Sequence, residues 1–476
     1  MSRTINFLGT ACVLALLGLS SCVPALKVRE VRKDTPASYA SNSDTTNAAN
    51  TPWRAFFIDP HLRMLIDSAL ANNQELNIML QEIAVAQSEV RARKGEYLPF
   101  VEAGAAAEVD KVGEFTRNGA VEHNLDIKEE TRFPEPLPNY IVAARASWEI
   151  DIWKKLRNAK KAAMMRYLGT VEGRNFMITH LVAEIANSYY ELMALDNQLE
   201  ILRNNIAIQQ DALEIVKLEK QAAKVTELAV RRFEAEVLKN CSNLFDIQQR
   251  ITETENRINF LVGRYPQAVT RGSASFASLV LDSISAGVPS QLLSYRPDIR
   301  QAELELAAAK LDVKAAKANF YPSVRLTAGI GLNAFDAALL TETPASLIYS
   351  VAGDLVAPLV NRNAIKATYI GANAHQMQAV YQYEQTVLNA YVEVVNQLSN
   401  IENLRNSYDL RKQQVDALSS SINLSTNLFR SARADYMEVL LTQRDALESK
   451  FELVETQKQR MTAVVGMYHA LGGGWR

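Results

Sequence analysis

The side chains best suited to chemistry are few and scattered. The five histidines, His61, His123, His180, His375 and His469, stand far apart. None has the HExxH spacing that sets two imidazoles on one helical face for zinc. No phosphate-binding glycine loop, dinucleotide glycine fingerprint or Gly-x-Ser-x-Gly elbow occurs. Carboxylates are abundant, but their pattern puts them on long helices, as solvated faces or i,i+4 partners of Lys and Arg. The chain reads as a non-enzyme, with no catalytic residue, cofactor or metal assigned. Cysteine offers one reactive position. Cys12 lies in an N-terminal apolar run, and Cys241 in a helical segment as a small apolar residue. Cys22 follows Leu19-Ser20-Ser21, directly after that run. Small residues ahead of such a cysteine resemble a bacterial lipobox, which implies cleavage before Cys22 and acylation of its thiol and amine. The alternative is an ordinary signal peptide with a chance cysteine. Several acyl chains, at about 0.8 kcal/mol per buried methylene, would hold the terminus in a bilayer.

Composition sets the context for that anchor. The chain has 476 residues, 48% hydrophobic, with 51 basic against 53 acidic side chains. A net charge of −2 excludes a strongly basic nucleic-acid binder. Mean hydropathy of −0.10 excludes a polytopic helical membrane protein. Three cysteines exclude a disulfide framework. Residues 1–21 hold one early charge, Arg3, and an apolar run from Phe7 to Leu19. That run is too short to span a bilayer and has the size of a signal-peptide core. Residues 22–58 form an anchored segment and linker, rich in Ser, Asn and Thr from Tyr39 to Thr51.

Two copies of one plan follow. Asp59-Pro60 opens a helix expected to run to about Gly95; Arg296-Pro297-Asp298 opens another, to about Asn319. Each leads to an aromatic-proline stop, Tyr97-Leu98-Pro99 and Phe320-Tyr321-Pro322. Arg157-Asn158-Ala159 recurs as Arg362-Asn363-Ala364, and Tyr189-Tyr190-Glu191-Leu192 as Tyr391-Val392-Glu393-Val394. Internal duplication explains these matches together. The repeats span 59–264 and 296–476, separated by an inter-repeat segment, 265–295. Strands are expected at about 98–110 and 139–152, then at about 322–334 and 347–360. Val324, Leu326, Ala328, Ile330 and Leu332 share one face, with Arg325 and Thr327 on the other. Val142, Ala144, Ala146, Trp148 and Ile150 likewise alternate with Arg145, Ser147 and Glu149. Val101 to Val109 alternate with Glu102 and Glu108, and Leu347 to Leu359 is less regular. Such period-two alternation suits a strand with lipid on one side and water on the other, or a half-buried strand in a soluble sheet. In lipid, four strands cannot close a barrel and open edges are costly, so several chains must share the wall. Three would supply twelve strands.

Long helical patterns come after each strand pair. Ile178, Ile185, Leu192, Leu199, Ile206 and Leu213 recur every seven residues. Val387, Val394, Ile401, Tyr408, Val415, Ile422 and Phe429 do the same. No Gly or Pro interrupts Asn175 to Leu261 or Ala372 to Val465. From Lys160 to Gln221 such a helix rises about 90 Å. Each half then reverses, near Ala222 to Thr226 and near Ser431 to Asp435, into a return helix.

These residues together resemble the TolC-like outer-membrane efflux factors, specifically their NodT lipoprotein branch. The most specific stretches are Arg296 to Glu303, Ala315 to Val324, and the terminal Ala470-Leu471-Gly472-Gly473-Gly474-Trp475. The resemblance implies a mainly α fold with a β-barrel part. In it, a homotrimer forms a twelve-stranded barrel in outer-membrane lipid and an α-helical tunnel in the periplasm. It implies a passive exit duct for small toxic compounds, drugs or metal ions. The hairpin tips would dock on a periplasmic adaptor (membrane fusion) protein and an inner-membrane resistance-nodulation-division pump. The family gate maps to Asp435, Glu438 and Leu441. Adaptor contacts map to Thr226, Glu227, Leu228 and Arg433. Alternatives are a type I secretion conduit and a non-channel periplasmic lipoprotein scaffold.

Overall fold

The computed structural model describes residues 23–26, 29–32, 35–39, 51–272, 276, 279, 286–360, 362–431 and 433–475. The signal segment and Cys22 lie outside them. The principal elements are α1 (Pro60–Asn72), α2 (Gln74–Tyr97), β1 (Phe100–Asp110), α3 (Arg117–Asn124), β2 (Asp126–Lys128), β3 (Thr131–Arg132), β4 (Leu137–Ile150), α4 (Lys155–Gln221) and α5 (Glu227–Val262). The second half supplies α6 (Pro297–Ala318), β5 (Ser323–Ala334), β6 (Leu347–Val356), α7 (Asn363–Arg430) and α8 (Tyr436–Ala470). The expected order of helix, strand pair and long hairpin thus occurs twice. The chain divides into two compact units; one division falls between Glu30 and Val31 and the others inside α2, α4, α6 and α7.

One expectation is corrected. The helix from Asp59 to Gly95 is two helices, broken at Asn73. Asp59 caps the first as anticipated, its carboxylate accepting from the His61 N–H at 2.8 Å behind Pro60. Asn73 then takes an extended conformation. Its side-chain oxygen accepts from Leu76 N–H and its amide donates to the Leu261 carbonyl, both at 2.9 Å. The short side chain ends one helix and caps the next.

The first unit holds the sheet, in the order β1-β4-β5-β6, antiparallel throughout. Its bases are tied by indoles. Trp148 Nε1 donates to the Tyr97 carbonyl at 3.1 Å, and Trp153 Nε1 to the Pro322 carbonyl at 2.8 Å. Both aromatic-proline stops therefore lock the end of a neighbouring strand. The Arg-Asn-Ala motif has a local cause as well. Asp151, buried, accepts from the backbone N–H groups of Leu156 and Arg157 and pairs with the Arg157 guanidinium at 3.2 Å, so the strand hands directly into α4. Arg362, in the matching place, donates to the Pro358 carbonyl at 2.7 Å.

The second unit holds the main core. Leu62, Ile66 and Ala69 of α1 pack against Ile178, Ile185 and Tyr189 of α4 and Ile258 of α5. The Tyr189 hydroxyl donates to Asp59 at 2.7 Å, joining the α1 cap to the long helix. A second cluster gathers Tyr39, Tyr383, Val394 and Leu471, with Tyr39 stacked on Tyr391 at 5.6 Å. The C-terminal glycines let the chain turn there. Gly472 and Gly474 have φ of +87° and +105°, and a Cβ on Gly473 would lie 2.3 Å from Tyr468.

Candidate functional site

The sheet sorts side chains by face, because a strand alternates every residue. Register pairs Glu102 with Arg145, Glu149 with Arg325, and Arg325 with Asp354, so the charges share one face. Val101, Val142, Leu326, Ile330, Val351 and Leu355 share the other, each between 39% and 82% exposed. An apolar face left bare in this way suits lipid rather than water. A hollow of about 450 Å³ on the charged face is lined by Glu102, Arg145, Ser147, Thr327, Gly329 and Ser350. Among the described residues nothing pairs with the outer edge of β1 or of β6, and every residue of both strands is exposed. The sheet therefore ends in two open ladders of backbone donors and acceptors.

At the hairpin tips the two halves reverse alike. Lys224 N–H donates to the Glu219 carbonyl at 2.9 Å, and Arg433 N–H to the Leu428 carbonyl at 2.8 Å, the bond that closes a Schellman-type helix end. Ala223 takes the left-handed conformation, with φ of 56°. Thr226 and Asp435 sit at the N-caps of α5 and α8, neither side chain accepting a cap bond. Thr226, Glu227, Leu228 and Arg433 are all exposed. Glu227 is not a free carboxylate. It pairs with Lys220 across the turn and with Arg231 at 2.9 Å, and Arg231 pairs on with Glu234 at 2.9 Å. The Lys220 bond is the main reason its carboxyl is held below the usual range. The i,i+4 part of this network was legible in the sequence; the bond across the turn was not.

Asp435 at the N-cap of α8, and Glu438 and Leu441 on it, are all exposed, and the two acids form no ion pair among the described residues. The opposite face of the helix, with Val439, Gln443, Ala446 and Leu447, is buried. These three positions thus face away from the chain's own packing.

Sequence reasoning missed a buried clasp at Arg296. Its Nε and Nη2 donate to Asp298 at 3.0 and 2.7 Å, and its Nη1 to Glu393 at 2.6 Å and the Ala470 carbonyl at 2.7 Å. Burial opposes the charge, yet the bonds to Asp298 and Glu393 hold the guanidinium pKa above its ordinary value. The Arg-Pro-Asp motif is therefore a clasp as well as a helix start. Among the described residues no three His, Cys, Asp or Glu side chains are grouped to hold a metal, and no helix is long and apolar enough to cross a membrane.

A duplicated chain with a two-faced, open-edged sheet and two long helical hairpins has the makeup of an outer-membrane channel component. The chain belongs to the outer membrane efflux protein family, whose pattern matches residues 65–264 and 288–473. It is accordingly an efflux channel component of the outer membrane and not an enzyme. It is 26% identical over 466 residues to the cation efflux system protein CusC of Escherichia coli (strain K12), spanning 96% of this chain and 97% of that one. It is 23% identical over 474 residues to the probable outer membrane lipoprotein SilC of Salmonella typhimurium, spanning 99% of each. The fold is that of a CusC crystal structure, at a TM-score of 0.81 and 24% identity, covering 95% of this chain and 100% of that one.

Proposed function

We propose that three copies close one twelve-stranded barrel, the outer-membrane duct of an efflux system that also has a periplasmic adaptor and a resistance-nodulation-division pump. The open sheet carries this reading. Because the four strands alternate in direction, β6 of one copy meets β1 of the next antiparallel, and three such joints leave no edge. The half-buried second heptad ladder supports it too. Ile401, Tyr408, Val415 and Ile422 are only partly covered, and Leu388, Leu410 and Leu424 are more than 60% exposed, as for a helix whose neighbour is another copy. In this reading Cys22 bears the acyl anchor. Thr226, Leu228 and Arg433 meet the adaptor, with Glu227 held ready by Lys220. Asp435, Glu438 and Leu441 ring the periplasmic mouth, acids attracting cations and leucines narrowing the water path. Repeats at 59–264 and 296–476, divided by 265–295, each supply two strands and one hairpin. Cargo is small toxic compounds, drugs or metal ions.

The test is cross-linking in outer membranes. Cysteines at Ala105 on β1 and Val351 on β6 face outward at mid-strand. With both changes, oxidation should yield covalent trimers, and purified protein should conduct in planar bilayers. Cross-links confined to single chains, with no conductance, would refute the reading.

A further inference from the structure

The hairpins carry two apolar clusters with a polar layer between them. One cluster contains Leu213 of α4 and Val237 of α5, with Leu440 of α8 packed against it. The other contains Ile206 of α4 and Leu447 of α8, with Leu244 of α5 packed against it. Between these anchors each helix places one buried amide. Gln209 lies between Ile206 and Leu213, Asn240 between Val237 and Leu244, and Gln443 between Leu440 and Leu447. Each is three or four residues from both anchors, hence on the same helical face and at the same level of the packing. Their exposures are 1%, 1% and 3%. Asn240 Nδ2 donates to Gln209 Oε1 at 2.8 Å. The other half of Gln209, the donor Nε2, is buried without a partner, and so is the acceptor Gln443 Oε1. One layer thus holds a stranded donor on α4 and a stranded acceptor on α8. Leucine at these places would satisfy the seam at no such cost.

We propose that Gln209, Asn240 and Gln443 are gate-positioning residues, forming a latch with two hydrogen-bonded states. This rests on the channel reading above. In the state described, Asn240 holds Gln209 and the Gln443 Oε1 is unpaired. In the second, α8 shifts against α4 until Gln209 Nε2 donates to Gln443 Oε1. The complementary stranded atoms make that second pairing available, and packed helices move between discrete arrangements rather than continuously. Since Glu438 and Leu441 lie on the opposite face of α8, the same shift carries them relative to the other copies. The stranded pair raises the energy of the resting state and narrows the gap to the open one.

Gln443→Leu tests this, because it relieves the resting state and removes the second state's bond. In planar bilayers its open probability should fall by about tenfold with unit conductance unchanged, while the melting temperature of the detergent-solubilised protein rises. Gln209→Leu should give a similar loss, and the double variant should add little to either alone. Gln443→Met, closer in shape, replaces Gln443→Leu if that variant does not fold. An open probability within about twofold of the parent, or losses that simply multiply in the double variant, would overturn the latch. If the parent itself never conducts, the channel reading fails, and amide hydrogen exchange over 440–447 decides the latch separately. Exchange slowed about tenfold by Gln443→Leu supports a two-state layer; unchanged exchange rejects it.

Discussion

His469 gives the protein a built-in acid sensitivity whose size follows from its surroundings. The ring lies on α8 with ring centres 6.0 Å from both Phe176 and His180, and its Nε2 is buried without a partner. Burial first, and then the Arg296 charge, bring its pKa from the ordinary 6.5 down to about 4. Between those values the unfolded chain takes up the proton and the folded chain does not, so acid favours unfolding. The contribution is complete above about pH 6.5 and is lost as the pH falls toward about 4. The full gap corresponds to about 3 kcal/mol per chain, of which about 2 kcal/mol is gone by pH 5. Denaturant melts of detergent-solubilised protein at pH 7.5 and at pH 5 measure the loss, with His469→Gln as the reference that cannot titrate. The parent should lose about 2 kcal/mol more than the variant over that interval. NMR of isotope-labelled histidine reads the ring's midpoint directly. A midpoint near 6.5, or equal acid losses in parent and variant, would refute the reasoning.

Further outcomes follow from three other sites. Arg296→Met leaves Asp298, Glu393 and the Ala470 carbonyl without their shared donor, and should cost about 3 kcal/mol in denaturant melts. The same variant should raise the His469 midpoint, because Arg296 is one cause of its depression. Gly473→Ala drives a methyl into the Tyr468 ring and should cost about 1–3 kcal/mol, read in the same melts. Glu438→Gln should lower the preference of the open channel for cations, measured as a shift in reversal potential across a salt gradient; an unmoved reversal potential would remove Glu438 from the mouth.

Periodicity made the repeated plan legible, and the limits of periodicity explain what was hidden. A seven-residue ladder names a buried seam, and Ile185, Leu192 and Ile206 of the first hairpin are all 8% exposed or less. The same rule applied to the second hairpin names Ile401, Tyr408, Val415 and Ile422, which one chain covers only in part. A repeat identifies a seam without naming the molecule that fills it. The break at Asn73 escaped because apolar spacing runs on across it, while the cause is a side-chain amide reaching the Leu261 carbonyl, far away in sequence. Helix α3 and the β2–β3 hairpin, between β1 and β4, are too short to show a period; α3 starts where Thr116 accepts from Gly119 N–H. The Lys220–Glu227 bond and the Arg296 clasp were hidden for the same reason as Asn73: their partners lie across a turn or in another segment. Gln209, Asn240 and Gln443 are the more instructive case. Each reads in sequence as an ordinary polar interruption of a heptad, and only the alignment of three helices turns them into one layer. Local pattern reports which face of an element is sheltered, whereas a switch needs atoms on different elements that can exchange partners, and that relation exists only once the helices are packed.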